Sequence, residues 1–85
     1  MKAKPKLTLD QPATYQIKVP GHLDASWIDW AGEMLVVTQQ EADGSMTTIL
    51  SGPVADQAAL QGLLRRLYSL GLPLISVIWI ETEVQ

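Results

Sequence analysis

A stripe of five leucines constrains the fold of this chain more than any other feature. The leucines recur at spacings of three and four residues, as on one face of an α-helix: Leu60, Leu63, Leu64, Leu67 and Leu70. Asp56 can cap the start of this helix, and Gly71 with Pro73 can end it, because glycine adopts left-handed backbone and proline cannot continue a helix. A helix with one apolar side needs a surface to pack on, so the rest of the chain must supply one.

Four segments with the composition of β-strands supply that surface. They are ATYQIKV (13–19), EMLVVTQQ (33–40), MTTILSG (46–52) and PLISVIWIETE (73–83). In the first segment, Tyr15, Ile17 and Val19 alternate with polar residues, which is the period of a strand with one buried face. The second and third segments predict a hairpin, since Asp43-Gly44 between them favours a tight reversal. The fourth is rich in β-branched residues.

The stretch GHLDASWIDW predicts a second, shorter helix over residues 24–31. Asp24 or Ser26 can cap it, and Trp27 and Trp30 share the face that would pack on the sheet. The element order is then β-α-β-β-α-β, which predicts an α+β, ferredoxin-like split βαβ fold. We expect a four-stranded antiparallel sheet with both helices on one face. The alternative is a ββαβ fold with only a turn at 24–31.

The length of 85 residues predicts one domain. We expect residues 13–85 to form a single α+β domain. Residues 1–12 predict a flexible basic tail, because Lys2, Lys4 and Lys6 lie there with Pro5 and Pro12.

Composition and charge argue against several classes of partner. The chain has no cysteine, so we expect no disulfide framework and a cytoplasmic location. From residue 7 onward only Lys18, Arg65 and Arg66 stand against all nine acids, a balance that disfavours binding of nucleic acid. The longest apolar runs, such as Val77 to Ile80, are far shorter than the roughly 20 residues of a membrane span, so we expect no membrane insertion.

The only histidine lies in a crowded stretch but completes no catalytic or metal-binding motif. His22, Asp24 and Ser26 lack the nucleophile elbow of a hydrolase, and one histidine with scattered acids lacks the ligand spacing of metal sites. We therefore predict no catalytic residue, no cofactor and no metal. His22 and Asp24 are kept as candidate ligand-site residues, since histidine titrates near neutral pH.

The last strand indicates a binding surface for a partner. Leu74, Ile78 and Ile80 alternate with Ile75, Val77 and Trp79, so both faces of this strand are apolar. The helices can cover only one face of the sheet, and we expect Ile75, Val77 and Trp79 to bind a partner on the open face. A second copy of the chain is the simplest partner. The alternative is that residues 1–12 fold back over this patch.

A longer pattern resembles a family of small uncharacterised bacterial proteins. The pattern consists of GHLDASWIDW, then Asp43-Gly44, then SGPVADQAALQGLLRRLYSLGLPLISV, and it extends from about Tyr15 to Val77. The resemblance implies no established activity and no catalytic residue. The chain departs from it at Ile78-Trp79-Ile80, where the resemblance implies more polar residues.

Three functional classes follow from these observations. The first is a non-enzymatic protein-interaction or assembly module that self-associates through the last strand and the open sheet face. The second is a regulatory domain that binds a small molecule. The third is a cofactor-free dimeric enzyme that uses His22.

Overall fold

A computed structural model describes residues 7–23 and 34–81, which contain one sheet and one helix. The elements are, in chain order, β1 (Ala13–Pro20), β2 (Leu35–Gln40), β3 (Met46–Val54), α1 (Gln57–Ser69) and β4 (Ser76–Ile80). The α+β class and the four-stranded antiparallel sheet are confirmed. The short helix predicted at 24–31, with Asp24, Trp27 and Trp30, lies outside the described residues.

Strand pairing moves several predicted boundaries. β3 continues to Val54, two residues further than the alternation predicts, because Val54 pairs with Ala13 at the start of β1. β4 is shorter than its β-branched composition predicts. It ends at Ile80, which pairs with Thr14, and begins at Ser76, which pairs with Lys18. β4 pairs only with Thr14 to Lys18, although β1 extends from Ala13 to Pro20.

The strands lie in the order β2-β3-β1-β4, and every neighbouring pair is antiparallel. β1 and β3 are therefore central, and β2 and β4 are the edges of the described sheet. β1 carries the strongest alternation in the sequence because it has a strand on both sides and the helix layer on one face. Its residues Tyr15, Ile17 and Val19 are all buried.

One face of the sheet carries the hydrophobic core, and we call the other the open face. The register places Ile17 opposite Leu50 of β3, and Leu50 opposite Val36 of β2. These residues share the core face with Tyr15 and Val19. From α1, Leu60, Leu63 and Leu67 complete the buried cluster. Leu64 is only partly buried and Leu70 is exposed, so three of the five predicted leucines form the buried stripe.

Both ends of α1 use the residues that the sequence predicts. The Asp56 side chain accepts a hydrogen bond from the Ala59 backbone N–H at 2.8 Å, so Asp56 is the N-cap. At the other end Gly71 has φ +79°, and the Leu72 N–H donates to the Leu67 carbonyl at 3.1 Å. This is the Schellman arrangement, in which the chain reverses and satisfies the last carbonyls of the helix. No helix in the described part of the chain has the length and apolar character needed to cross a membrane.

The segment before β1 lies beside the start of α1. The Leu9 carbonyl accepts a hydrogen bond from the Gln57 backbone N–H at 3.0 Å. Residues 7–12 thus satisfy one of the N–H groups that a helix start leaves without a helical partner. The division into a flexible tail at 1–12 and a domain at 13–85 stays a prediction.

Candidate functional site

β4 is an edge strand with no charged residue. It pairs with β1 on one side, and no other described strand lies on its second side. Its sequence is SVIWI, which contains neither the lysine nor the proline that commonly protects an exposed sheet edge from pairing. We call the unpaired side of this strand the β4 edge. It is suited to accept another strand.

Exposed apolar side chains are concentrated around this edge. Half of the exposed large apolar residues in the described ranges fall between positions 70 and 80: Leu70, Leu74, Ile75, Val77, Ile78 and Ile80. Monomeric proteins seldom expose large contiguous apolar patches without a binding function. The surface around β4 is therefore the first candidate for a binding site.

The strand register corrects the face on which the predicted partner-binding residues lie. Val77 lies opposite Ile17, and Trp79 lies opposite Tyr15, so both share the core face rather than the open face. Trp79 is partly buried and packs against the core. Ile75, just before β4, is about half exposed, and its backbone N–H donates to the Lys18 carbonyl at 2.8 Å. The open face of β4 carries Ile78 and Ile80 instead.

Both faces of β4 are accessible, since Val77 on the core face and Ile78 and Ile80 on the open face are all exposed. The helix buries Leu50 and Ile17 in the middle of the sheet but leaves the core face of β4 only partly covered. Val77 is consequently 39% exposed even though its neighbour across the strand pair, Ile17, is completely buried. A partner at the β4 edge would contact apolar side chains on both faces.

The open face is divided by a polar stripe. Gln16 and Lys18 of β1 lie on it, as their alternation with the buried residues of β1 predicts. On the β2 side of this stripe Leu35 and Val37 are exposed, and on the β4 side Ile78 and Ile80 are exposed. The open face therefore carries two separate apolar patches, one at each edge strand.

The carboxylate of Glu41 links three strands at the hairpin end of the open face. Glu41 accepts hydrogen bonds from the Gln39 amide at 2.7 Å, the Thr47 hydroxyl at 3.0 Å and the Lys18 ammonium at 3.3 Å. The Gln39 hydrogen bond is the largest of the causes that lower the pKa of the Glu41 carboxyl below its usual value. The cluster joins β1, β2 and β3. Sequence reasoning missed it because Lys18 and Glu41 are 23 positions apart and only the sheet order brings them together.

The structure describes one of the two candidate ligand-site residues, His22. His22 is exposed and follows Gly21, whose backbone N–H donates to the Met46 carbonyl at 2.8 Å. Asp24 lies outside the described residues. Among residues 7–23 and 34–81, no group of three histidine, aspartate or glutamate side chains is close enough to hold a metal ion.

A shallow apolar groove lies between α1 and the end of β3. It has a volume of about 330 Å³ and is lined by Met34, Pro53, Val54, Ala55, Ala59, Gly62 and Leu63. Small-molecule sites usually measure about 300 to 1,000 Å³, so the groove is at the lower end of that range. His22 is not among its lining residues.

Comparison with known proteins gives one match. A family model described as a domain of unknown function (DUF8691) matches residues 14–78. The match is consistent with the uncharacterised family that the resemblance implies, while the motif pattern and the bacterial origin stay predictions. Comparisons with curated proteins and with solved structures gave no match.

Proposed function

The chain belongs to the DUF8691 family, a domain of unknown function, and from the surface around β4 we propose that it is a non-enzymatic protein-interaction module that self-associates. The proposal rests on β4, an edge strand that carries no charge and has exposed apolar side chains on both of its faces. An exposed strand of this kind is a template for pairing with another chain.

The charge distribution permits a second copy of the chain as the partner at β4. The chain has a formal net charge of −3, so two copies repel each other wherever acidic residues would face one another. β4 carries no charge, so two copies can meet there without opposing carboxylates. The proposal includes a cytoplasmic location and no binding of nucleic acid, which the excess of acids supports.

We extend the proposal to the ferredoxin-like form of the fold. The strand order β2-β3-β1-β4 with antiparallel neighbours supports it, because two β-α-β crossovers that each span one strand produce this order. The proposal requires a helix in residues 24–31 on the same face as α1. Backbone chemical shifts of these residues test this requirement: helical values support it, and extended values contradict it.

The proposed self-association is tested by the mass of the protein in solution. Light scattering over about 5 to 500 µM covers the range expected for a small interface, and we expect the mass to rise from one copy to two. Ile78→Lys places a charge on β4 and should keep the protein monomeric. Val37→Lys is the matched control, because both residues are 45% exposed on the open face but lie on opposite edge strands.

Comparison of these two variants shows which of the two edge strands, β4 or β2, forms the interface. The Val37→Lys protein should dimerise like the wild type. A wild-type protein that stays monomeric up to the highest concentration would contradict the proposal. Trp79→Lys is less suitable than Ile78→Lys, because Trp79 packs against the core and its loss would also destabilise the monomer.

Binding of a small molecule is a second candidate function, favoured by the groove beside Leu63. Gly62 lines this groove, and a Cβ atom added there meets no atom within 4 Å. Gly62→Leu should therefore add an apolar side chain at the groove without a clash at its Cβ atom. If the apolar dye anilinonaphthalene sulfonate binds the wild type and Gly62→Leu abolishes binding, the groove is a ligand site; equal binding to both proteins would contradict this candidate.

A further inference from the structure

We infer that the β4 strands of two copies pair antiparallel with Val77 opposite Trp79 of the second copy, which joins the two sheets into one of eight strands. The inference rests on the proposed self-association and deepens it by naming the residues in contact and their register. It follows from the direction in which each backbone group of β4 points.

The pairing of β1 with β3 sets these directions. In an antiparallel pair, every second residue turns its N–H and C=O toward the neighbouring strand, and the residues between turn theirs away. Gly21 donates its N–H to the Met46 carbonyl at 2.8 Å, in the same register as the rest of this pair. The odd-numbered residues of β1, such as Ile17, therefore bond to β3. The even-numbered residues, such as Gln16 and Lys18, turn toward β4.

The same alternation then fixes the backbone of β4. Gln16 pairs with Ile78, and Lys18 pairs with Ser76, so the backbone groups of these β4 residues are used by β1. The Lys18 carbonyl does point toward this side, since it accepts the N–H of Ile75. Val77 and Trp79 lie between the bonded positions and direct their N–H and C=O groups outward at the β4 edge.

Two-fold symmetry allows a register in which the outward groups of both residues are paired. When the two-fold axis passes Ile78, Val77 of each copy lies opposite Trp79 of the other, and all the outward N–H and C=O groups of these two residues form hydrogen bonds across the interface. If Val77 instead lay opposite itself, Trp79 would face Ile75, whose N–H is already donated to Lys18. The first register leaves no outward group of Val77 or Trp79 without a partner.

The side chains fit this register on both faces. On the core face, Trp79 lies beside Val77 of the second copy, a contact between an aromatic and a β-branched side chain that favours cross-strand pairing. On the open face, Ile78 meets Ile78 of the second copy at a position without hydrogen bonds, where side chains come closest. Ile80 lies opposite Ser76. No charged side chain of β4 is enclosed.

The area available corresponds to a small interface. The exposed parts of the six apolar residues between 70 and 80 come to roughly 500 Å² per copy, so two copies bury at most about 1,000 Å², the lower bound for a specific interface. The joined sheet has the order β2-β3-β1-β4, followed by the same strands reversed. Eight strands are within the usual size of a twisted sheet.

Disulfide cross-linking tests the register directly, since the native chain has no cysteine. We expect Ile78→Cys to form a covalent dimer under mild oxidation, because residues directly opposite at such a position are about 4.5 Å apart between Cα atoms, within the reach of a disulfide. Val37→Cys, equally exposed on the other edge strand, should stay unlinked. Ser76→Cys mixed with Ile80→Cys should link, and neither should link alone, since like residues are then about 13 Å apart.

The outcomes distinguish this inference from the proposed function. If the protein dimerises but Ile78→Cys does not form a covalent dimer, the inference is overturned and self-association still holds. The same conclusion follows if Val37→Cys cross-links instead. A protein that is monomeric at all concentrations overturns both. Val77→Pro provides a second readout without a new thiol: it removes an outward N–H that β1 does not use, so we expect a folded monomer. A Val77→Pro protein that still dimerises with wild-type affinity overturns the inference.

Discussion

The side-chain amide of Gln57 donates a hydrogen bond to the phenolic oxygen of Tyr15. Gln57 is the first residue of α1, and Tyr15 lies on the core face of β1, so this bond fixes the start of the helix against the centre of the sheet. The Gln57 backbone N–H also donates to the Leu9 carbonyl. One residue thus joins the segment before β1, the strand itself and the helix.

We expect Tyr15→Phe to lower the free energy of unfolding by about 0.5 to 1.5 kcal/mol, the usual net value of one hydrogen bond. The ring stays in the core, so only the bond to Gln57 is lost. Urea denaturation of the wild type, Tyr15→Phe, Gln57→Leu and the double variant measures it. If the hydrogen bond stabilises the fold, the double variant loses less stability than the two single losses added together. Strict additivity would show that the bond contributes nothing.

Two consecutive residues of α1 should respond very differently to truncation. Leu67 is completely buried against the sheet, whereas Tyr68 is 82% exposed. Leu67→Ala should cost about 2 to 5 kcal/mol because it removes apolar contacts and leaves a cavity. Tyr68→Ala should stay within about 0.5 kcal/mol of the wild type. Thermal unfolding of both variants checks this, and similar losses for the two would mean that α1 is rotated from the orientation described.

Two glycines of the same region should respond to alanine with opposite signs. Gly62 lies inside α1 with open space around it, so Gly62→Ala should stabilise the protein by about 0.5 to 1 kcal/mol through helix propensity. Gly71 ends the helix with φ +79°, so Gly71→Ala should destabilise it by about 1 to 2 kcal/mol through left-handed strain. Unfolding free energies compare the pair directly. Stabilisation by Gly71→Ala would rule out the left-handed helix end.

The carboxylate of Glu41 makes stability depend on pH at the hairpin end of the sheet. Hydrogen bonds from Gln39 first, then from Thr47 and Lys18, lower its pKa below the ordinary value of 4.5. Folding therefore favours the ionised form. The stabilisation is fully present above the unfolded pKa and is lost as the pH falls through the lowered folded pKa.

An NMR titration of the Glu41 side chain measures this effect. Thr47→Val removes one hydrogen-bond donor with little change of shape, so the pKa of Glu41 should rise toward its ordinary value. The stability difference between the wild type and Glu41→Gln should shrink as the pH falls from the unfolded-state pKa of Glu41 through its lowered folded-state pKa. An unchanged Glu41 pKa in Thr47→Val would contradict the assigned contact.

Features that depend on neighbouring residues in the chain could be predicted from the sequence. Asp56 caps α1 through the N–H of Ala59, three residues away, and Gly71 ends the helix through bonds within one turn. The turn at Asp43-Gly44 is equally local, since Ser45 donates to the Asp43 carboxylate and Gly44 has φ +89°. Each requires only the conformations and hydrogen bonds of adjacent residues, so the sequence specifies it without knowledge of the fold.

What the sequence determined about β4 was the separation of its side chains into two alternating sets, because that follows from the strand period of two. It could not determine which set faces the helix, because both sets are apolar and polarity therefore does not distinguish the buried face from the exposed one. Only the tertiary structure decided this, by pairing Trp79 with Tyr15 and Ile78 with Gln16. The same pairing leaves the backbone of Val77 and Trp79 directed outward, because hydrogen bonding to β1 uses the residues between them.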